Sequence, residues 1–174
     1  MRSLLLGAVA SLSVSFAAQA APVSLFGIEL GAPLPVKECP AKHSSNATAT
    51  MPCYVRNDNR DPQLVMYSIP VEKRPHYLSN GYFGIIVWLD HAKNVQSISL
   101  DVNPNYHKDA LAALEKKFGK ATQTPTALSH YHWDVPGASL DYTRDWDSSE
   151  IRMETPAGKH IREDFAPDPV KIIP

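Results

Sequence analysis

Hydrophobic and polar positions alternate most regularly between residues 81 and 154. The run from Phe83 to Leu89 is almost entirely apolar, a pattern typical of a strand buried on both faces. A polar turn at residues 91–94 follows. The stretch from Val95 to Val102 then predicts the return strand, with its aliphatic residues toward a core and its serines on the opposite face.

One amphipathic helix is predicted at residues 104–118. Asn103 is a favoured N-cap residue, and Pro104 suits the first helical position. Gly119 suits the position just past the C-terminus. The residues expected to face the core recur at helical spacing: Ala110, Leu111, Leu114 and Phe118.

Three further strands are predicted after the helix, around Tyr131–Val135, Leu140–Tyr142 and Ile151–Met153. The first two are separated by the turn dipeptide Pro136-Gly137. The order of elements predicts an α+β protein, in which one principal helix packs on one face of a mainly antiparallel sheet.

The first half of the chain is less regular, and it has three short strand candidates: Val23–Leu30, Cys53–Val55 and Leu64–Ile69. The chain has fifteen prolines, which fall mainly in this half and after residue 154. Dense proline favours short edge strands and fixed loops. We therefore expect residues 21–154 to form a single domain and residues 155–174 to form a Pro-rich C-terminal tail.

The first twenty residues predict a cleaved signal peptide. Arg2 precedes an apolar run from Leu4 to Ala18, and Ala18-Gln19-Ala20 matches the small-residue cleavage pattern. The alternative is an uncleaved membrane anchor, but serines interrupt the run, and it is short for the roughly 20 apolar residues of a membrane span. We expect an exported protein of the periplasm, with secretion as the second choice and no stable membrane anchor.

The two cysteines, Cys39 and Cys53, are expected to form a disulfide. An exported chain enters an oxidising compartment, where a single pair of thiols normally bonds. The enclosed stretch has little to bury, so a covalent link at its base would hold it in place. A redox-active or metal-binding pair is the alternative, but there is no C-x-x-C motif.

Composition and motifs exclude several classes of function. Lys and Arg number 17 against 18 Asp and Glu, for a net charge of -1, so the chain is not a strongly basic nucleic-acid binder. The sequence contains no G-x-S-x-G, H-E-x-x-H, P-loop or G-x-G-x-x-G motif. We therefore expect no enzymatic activity, no cofactor and no nucleic-acid partner.

The strand motif His130-x-His132-x-Asp134 is the clearest group of metal-ligand residue types. Alternate strand residues project on one face, and imidazole and carboxylate groups are suitable zinc or copper ligands. A tight hairpin at Pro136-Gly137 would add Asp141 opposite His132, with Asp134 opposite Ser139. The alternative is that these polar residues form the solvated side of a half-buried hairpin.

Three aromatic residues are candidate protein-binding residues, Trp146, Tyr82 and Tyr106, and Tyr77 belongs to the same class as the other two tyrosines. Trp146 lies in an acidic loop between Asp145 and Asp147, where no alternation explains its burial. Tryptophan and tyrosine are frequent anchors in protein interfaces. The alternative for Trp146 is that it folds back over the sheet edge.

Two phrases resemble small exported bacterial envelope proteins. One is Phe26-Gly27-Ile28-Glu29-Leu30-Gly31, and the other runs from Leu111 to Lys120 and is followed by Trp133 and Ile151. The arrangement is similar to the folds of the β-lactamase inhibitor protein and of the small lipoprotein of outer-membrane β-barrel assembly. The resemblance implies a helix on an antiparallel sheet whose surface and loops bind another protein.

The sequence thus predicts a periplasmic protein that binds another envelope or secreted protein, in its sharper form as an inhibitor or immunity protein acting on an envelope enzyme. The alternative is a metal or small-ligand carrier that uses His130, His132 and Asp134. A hydrolase is a third hypothesis, resting only on unassigned acids and histidines.

Overall fold

The computed structural model describes residues 22–40, 51–56, 63–78, 85–125, 129–145 and 148–165. Within them the strands are β1 Ser24–Leu25, β2 Ile28–Glu29, β3 Cys53–Arg56, β4 Leu64–Ser68, β5 Ile85–Leu89, β6 Val95–Asp101, β7 Thr122–Pro125, β8 Ser129–Val135, β9 Ala138–Arg144 and β10 Ser149–Glu154. The helices are α1 His107–Phe118 and α2 Pro156–Phe165.

Eight strands form one sheet in the order β3-β4-β5-β6-β10-β9-β8-β7. Every neighbouring pair is antiparallel. Strands β1 and β2 form a separate two-stranded hairpin. The predicted fold class, α+β with a mainly antiparallel sheet and one principal helix packed on it, is confirmed.

The inner face of the sheet carries the hydrophobic core. In one row across the central strands, Ile151 lies opposite both Leu100 and Tyr142, and all three are at most 2% exposed. Helix α1 adds Ala110 and Leu114 to this core. Because both helical residues came from the predicted apolar stripe, periodicity identified the packing face of α1 correctly.

Helix α1 ends where predicted, but it begins three residues later. Residues Pro104–Tyr106 form a 3-10 turn, and the α-helix begins at His107. The side chain of Asn103 accepts a hydrogen bond from the Asn105 backbone N–H at 3.0 Å. Gly119, with φ of +86°, ends the helix and donates its N–H to the Glu115 carbonyl.

The prediction of one strand over Val23–Leu30 is wrong, because a turn at Phe26-Gly27 divides it into β1 and β2. Both turn residues have positive φ, 53° and 78°, which is the geometry of the two-residue turns that match the twist of a hairpin. Gly27 is the sequence signal for this turn. The weak alternation of the residues around it led instead to the prediction of a continuous strand.

The prediction that Phe83–Leu89 is buried on both faces is also wrong for its described part. In β5 the burial alternates, with Ile85, Val87 and Leu89 buried and Ile86 and Trp88 half-buried. The sheet is antiparallel, and its outer face, opposite the core, is only partly covered. Composition alone could not separate a half-covered apolar face from a fully buried one.

The expected C-terminal tail begins instead with helix α2, which packs on the outer face against β6, β5 and β10. The Thr155 hydroxyl accepts the Gly158 backbone N–H at 3.0 Å, which is the bond of an N-cap residue. Pro156 occupies the first helical position, where proline is favoured. Thr155 and Pro156 are helix-start signals that the sequence contains. The high proline content after residue 154 led instead to the prediction of a tail. Residues 166–174 lie outside the described residues.

Candidate functional site

A row of four neighbouring rings lies beside the start of α1. The ring centroids of Phe26 and Tyr77 are 6.5 Å apart, those of Tyr77 and His76 are 5.8 Å apart, and those of His76 and Tyr106 are 5.2 Å apart. The two contacts of His76 are nearly perpendicular, at 74° and 86°, as aromatic pairs prefer. We call these four residues the aromatic row.

Backbone contacts hold the aromatic row against the end of β6. The Asn103 N–H donates to the Tyr77 carbonyl at 2.9 Å, and Leu78 forms a bridge with Val102. Tyr106 then lies at the N-cap position of α1. The segment that ends at Leu78 and the residues that lead from β6 into α1 are thus joined at this end of the sheet.

Asp109 fixes the orientation of the imidazole in the aromatic row. The Nε2 atom of His76 lies 2.7 Å from the Oδ2 atom of Asp109, so this nitrogen carries the donated hydrogen. The two side chains are 65% and 54% exposed. Tyr106 is 43% exposed, and among the described residues only Met51 is a large hydrophobic residue of greater exposure. His76 and Tyr106 therefore present an aromatic surface to solvent, and the half-buried Phe26 and Tyr77 connect it to the core.

The other two predicted aromatic residues, Tyr82 and Trp146, lie outside the described residues. Residues flanking both are described. Ile85 pairs with Leu100, and the Asp145 N–H donates to the Ser148 carbonyl at 2.8 Å. The described residues nearest to Tyr82 and Trp146 therefore lie at the end of the sheet where β6 leads to α1.

The predicted histidine motif lies on β8 in the register that the Pro136-Gly137 turn implied. His132 pairs with Asp141 and Asp134 pairs with Ser139, so that prediction is confirmed. The Nε2 atom of His130 and the Nδ1 atom of His132 both lie 2.8 Å from the same oxygen, Oδ1 of Asp141. The carboxylate that joins the two imidazoles is thus Asp141 rather than Asp134.

Both ring nitrogens of His132 face carboxylates. The Nδ1 atom faces Asp141, and the Nε2 atom lies 3.2 Å from Oδ1 of Asp134. A neutral imidazole has only one N–H, so His132 can donate to both carboxylates only when it is protonated. The hydrogen bond with Asp141, more than the contact with Asp134, accordingly raises the pKa of His132, while burial opposes the rise.

This arrangement differs from that of a metal centre. A metal ligand must offer a lone pair on nitrogen, and in His132 both nitrogens are directed at carboxylate oxygens. In the part of the chain that the structure describes, no group of three or more His, Cys, Asp and Glu side chains is placed to hold a metal ion. The contacts of His130, His132, Asp134 and Asp141 are those of a hydrogen-bonded network.

The predicted disulfide is present, with Cys39 and Cys53 joined at a Cα–Cα distance of 5.0 Å. It holds residues 37–39 beside β3, where the Cys39 N–H donates to the Tyr54 carbonyl at 2.8 Å. An intramolecular disulfide is consistent with an exported protein. None of the described helices has the length and apolar character needed to cross a bilayer.

Three residues of the site were not identified from the sequence: Phe26, His76 and Asp109. Asp109 follows Tyr106 by three residues, so the helix prediction already placed the two side by side. His76 and Phe26 lack such a signal, because their contacts with Tyr77 and Tyr106 depend on long-range packing. Sequence alone found the exposed tyrosine but not the residues that fix its surroundings.

Comparison with known proteins returned no matching family model, no matching curated protein and no matching solved structure.

Proposed function

We propose that this chain is an exported, periplasmic protein-binding module that acts as an inhibitor or immunity protein on an envelope enzyme. The observation that carries the proposal is the aromatic row, with Tyr106 43% exposed and in contact with His76, which Asp109 orients. Exposed, pre-oriented aromatic residues are typical anchors of protein interfaces, because they bury a large area at low entropic cost.

Two further features support the proposal. The signal-peptide pattern of residues 1–20 and the disulfide both suit an oxidising compartment outside the cytoplasm. The described residues that flank Tyr82 and Trp146 in sequence lie at the end of the sheet that carries Tyr106. We include both residues in the proposed binding surface, so that all three aromatic candidates belong to one interface.

A capture experiment with matched variants tests this function. The purified protein is immobilised and exposed to envelope extract, and the enriched proteins are identified by mass spectrometry. We expect a partner that wild type and Met51→Ala retain and that Tyr106→Ala and Trp146→Ala lose. Met51 is the suitable control because it is 62% exposed and lies away from the aromatic row in sequence.

The Kd of the identified partner for wild type and for each variant then measures how much each aromatic residue contributes to binding. Loss of an anchoring tyrosine at the centre of an interface typically costs about 2 kcal/mol or more, which is roughly a thirty-fold increase in Kd. A partner that binds Tyr106→Ala and Trp146→Ala as tightly as wild type would contradict the proposed surface. The absence of any partner shared by wild type and Met51→Ala would contradict the proposed function.

A further inference from the structure

We propose that Tyr106 and Asp109 together form a binding site for the guanidinium group of an arginine side chain. This inference rests on the proposed function, since the arginine is taken to belong to the partner protein. It names the chemistry that the partner must present to the aromatic row.

The Tyr106 ring has an open face. His76 meets it at an interplanar angle of 86°, and a perpendicular contact uses the edge of one ring and a single face of the other. At least one face of Tyr106 is therefore left, in agreement with the 43% exposure of the residue. The face of an aromatic ring carries partial negative charge and attracts cations.

The Asp109 carboxylate has an open oxygen. Its Oδ2 atom accepts the hydrogen bond from Nε2 of His76 at 2.7 Å. Within the described residues, no hydrogen bond reaches its Oδ1 atom, and the side chain is 54% exposed. The His76 contact therefore fixes the carboxylate and leaves an acceptor directed to solvent.

The two groups are close enough to contact one ligand. Residues three apart are neighbours at a helix surface, and both Tyr106 and Asp109 contact His76 directly. Lys108, an exposed cation, lies one residue before Asp109 and therefore about 100° around the helix from it. Asp109 is the charged side chain that shares the contact with His76, so a cation stacked on Tyr106 lies beside this carboxylate.

A guanidinium group satisfies this pair better than an ammonium group does. It is planar, so it stacks on a ring, and its fork of N–H donors reaches a carboxylate at the same time. It is also more weakly hydrated than an ammonium ion. The Tyr106–Asp109 pair is therefore selective for arginine over lysine.

The test is an NMR titration of the uniformly ¹⁵N-labelled protein with N-acetyl-arginine amide. N-acetyl-lysine amide and the uncharged isostere N-acetyl-citrulline amide are the comparison ligands. We expect saturable amide shifts at Tyr106 and Asp109 with the arginine probe, at least ~3-fold weaker binding of the lysine probe, and no saturable shift with citrulline.

Three variants connect the binding to the two groups. Asp109→Asn keeps the shape and removes the charge, and Tyr106→Leu keeps an apolar side chain and removes the ring face. Each should weaken arginine binding by about 2- to 5-fold, because each removes one exposed cation–π or ion-pair contact. Glu163→Gln, which neutralises an exposed carboxylate on α2, should leave the affinity unchanged.

Several outcomes would overturn the inference. They are the absence of a saturable shift with arginine, equal affinity for the lysine or citrulline probe, and full affinity in Asp109→Asn with a native circular dichroism spectrum. The failure of this inference is separable from that of the proposed function. A captured partner that depends on Tyr106 but is indifferent to Asp109→Asn would retain the function and refute the arginine site.

Discussion

At the scale of single residues, half-buried carboxylates on the sheet accept more than one hydrogen bond each. Asp141 accepts from two histidines through one oxygen atom. On the neighbouring strand, the Nη2 atom of Arg152 lies 2.6 Å and 2.5 Å from the two carboxylate oxygens of Glu150. Half-buried charges are tolerated at such positions because each has a partner of opposite charge or a donor.

The raised pKa of His132 predicts a pH-dependent contribution to stability. A histidine whose pKa is higher in the folded state stabilises the fold below its unfolded value of about 6.5, and this stabilisation is lost as the pH rises through the folded value. We therefore expect Asp141→Asn to lower the free energy of unfolding more at pH 5.5 than at pH 8. Urea denaturation at the two pH values measures the difference.

The same variant should lower the pKa of His132, measured by NMR titration of the imidazole protons. Asp134→Asn is the control, because Asp134 is 99% exposed and its contact with His132 is a smaller cause of the shift. An unchanged pKa of His132 in Asp141→Asn would contradict the assignment of Asp141 as its main partner.

At the scale of elements, α2 is positioned by a close approach to the sheet. A Cβ atom added at Gly158 would lie 2.1 Å from the backbone carbonyl oxygen of Gln96, a distance that no real contact allows. The Thr155 hydroxyl also lies 2.7 Å from the Gln96 side-chain oxygen, and Arg162 pairs with Glu154, whose side chain is 7% exposed. The N-terminal half of α2 therefore fits against β6 with little freedom to shift.

Gly158→Ala should destabilise the protein, although alanine is the better helix former by about 1 kcal/mol. The added methyl group forces α2 away from β6, and overpacking of this kind costs about 1–3 kcal/mol. Thermal or urea denaturation would show the loss. His160→Ala changes an exposed residue of the same helix and should have little effect, whereas a stabilised Gly158→Ala would contradict the packing of α2.

Sequence patterns predicted these elements unequally. The helix, the β6 alternation and the β8–β9 register followed local signals, namely Asn103-Pro104, Gly119 and Pro136-Gly137. Strand β7 was not predicted, because its short polar sequence has no hydrophobic alternation. It is an edge strand that forms by pairing with β8. The contacts of His76 with Tyr106 and Asp109 join residues far apart in sequence, so no local pattern predicts them.

At the scale of the whole molecule, the disulfide joins an irregular segment to the edge of the sheet. Replacing both Cys39 and Cys53 by serine should lower the free energy of unfolding by about 3 kcal/mol, the value expected for a loop of this size. Wild type in reducing buffer should show the same loss in urea denaturation. Equal stability of the oxidised and reduced forms would mean that the link does not stabilise the fold.

The segment held by this disulfide has one more consequence. Tyr54 on the outermost strand, β3, donates its N–H to the Lys37 carbonyl at 3.1 Å and accepts the Cys39 N–H, so backbone groups that would otherwise face outward are paired. An uncovered sheet edge is a template for strands of other molecules. Reduction removes the covalent part of this cover and leaves the backbone hydrogen bonds and the Arg56–Glu38 ion pair to hold the segment on β3. We therefore expect the reduced protein to self-associate through this edge more readily than the oxidised protein.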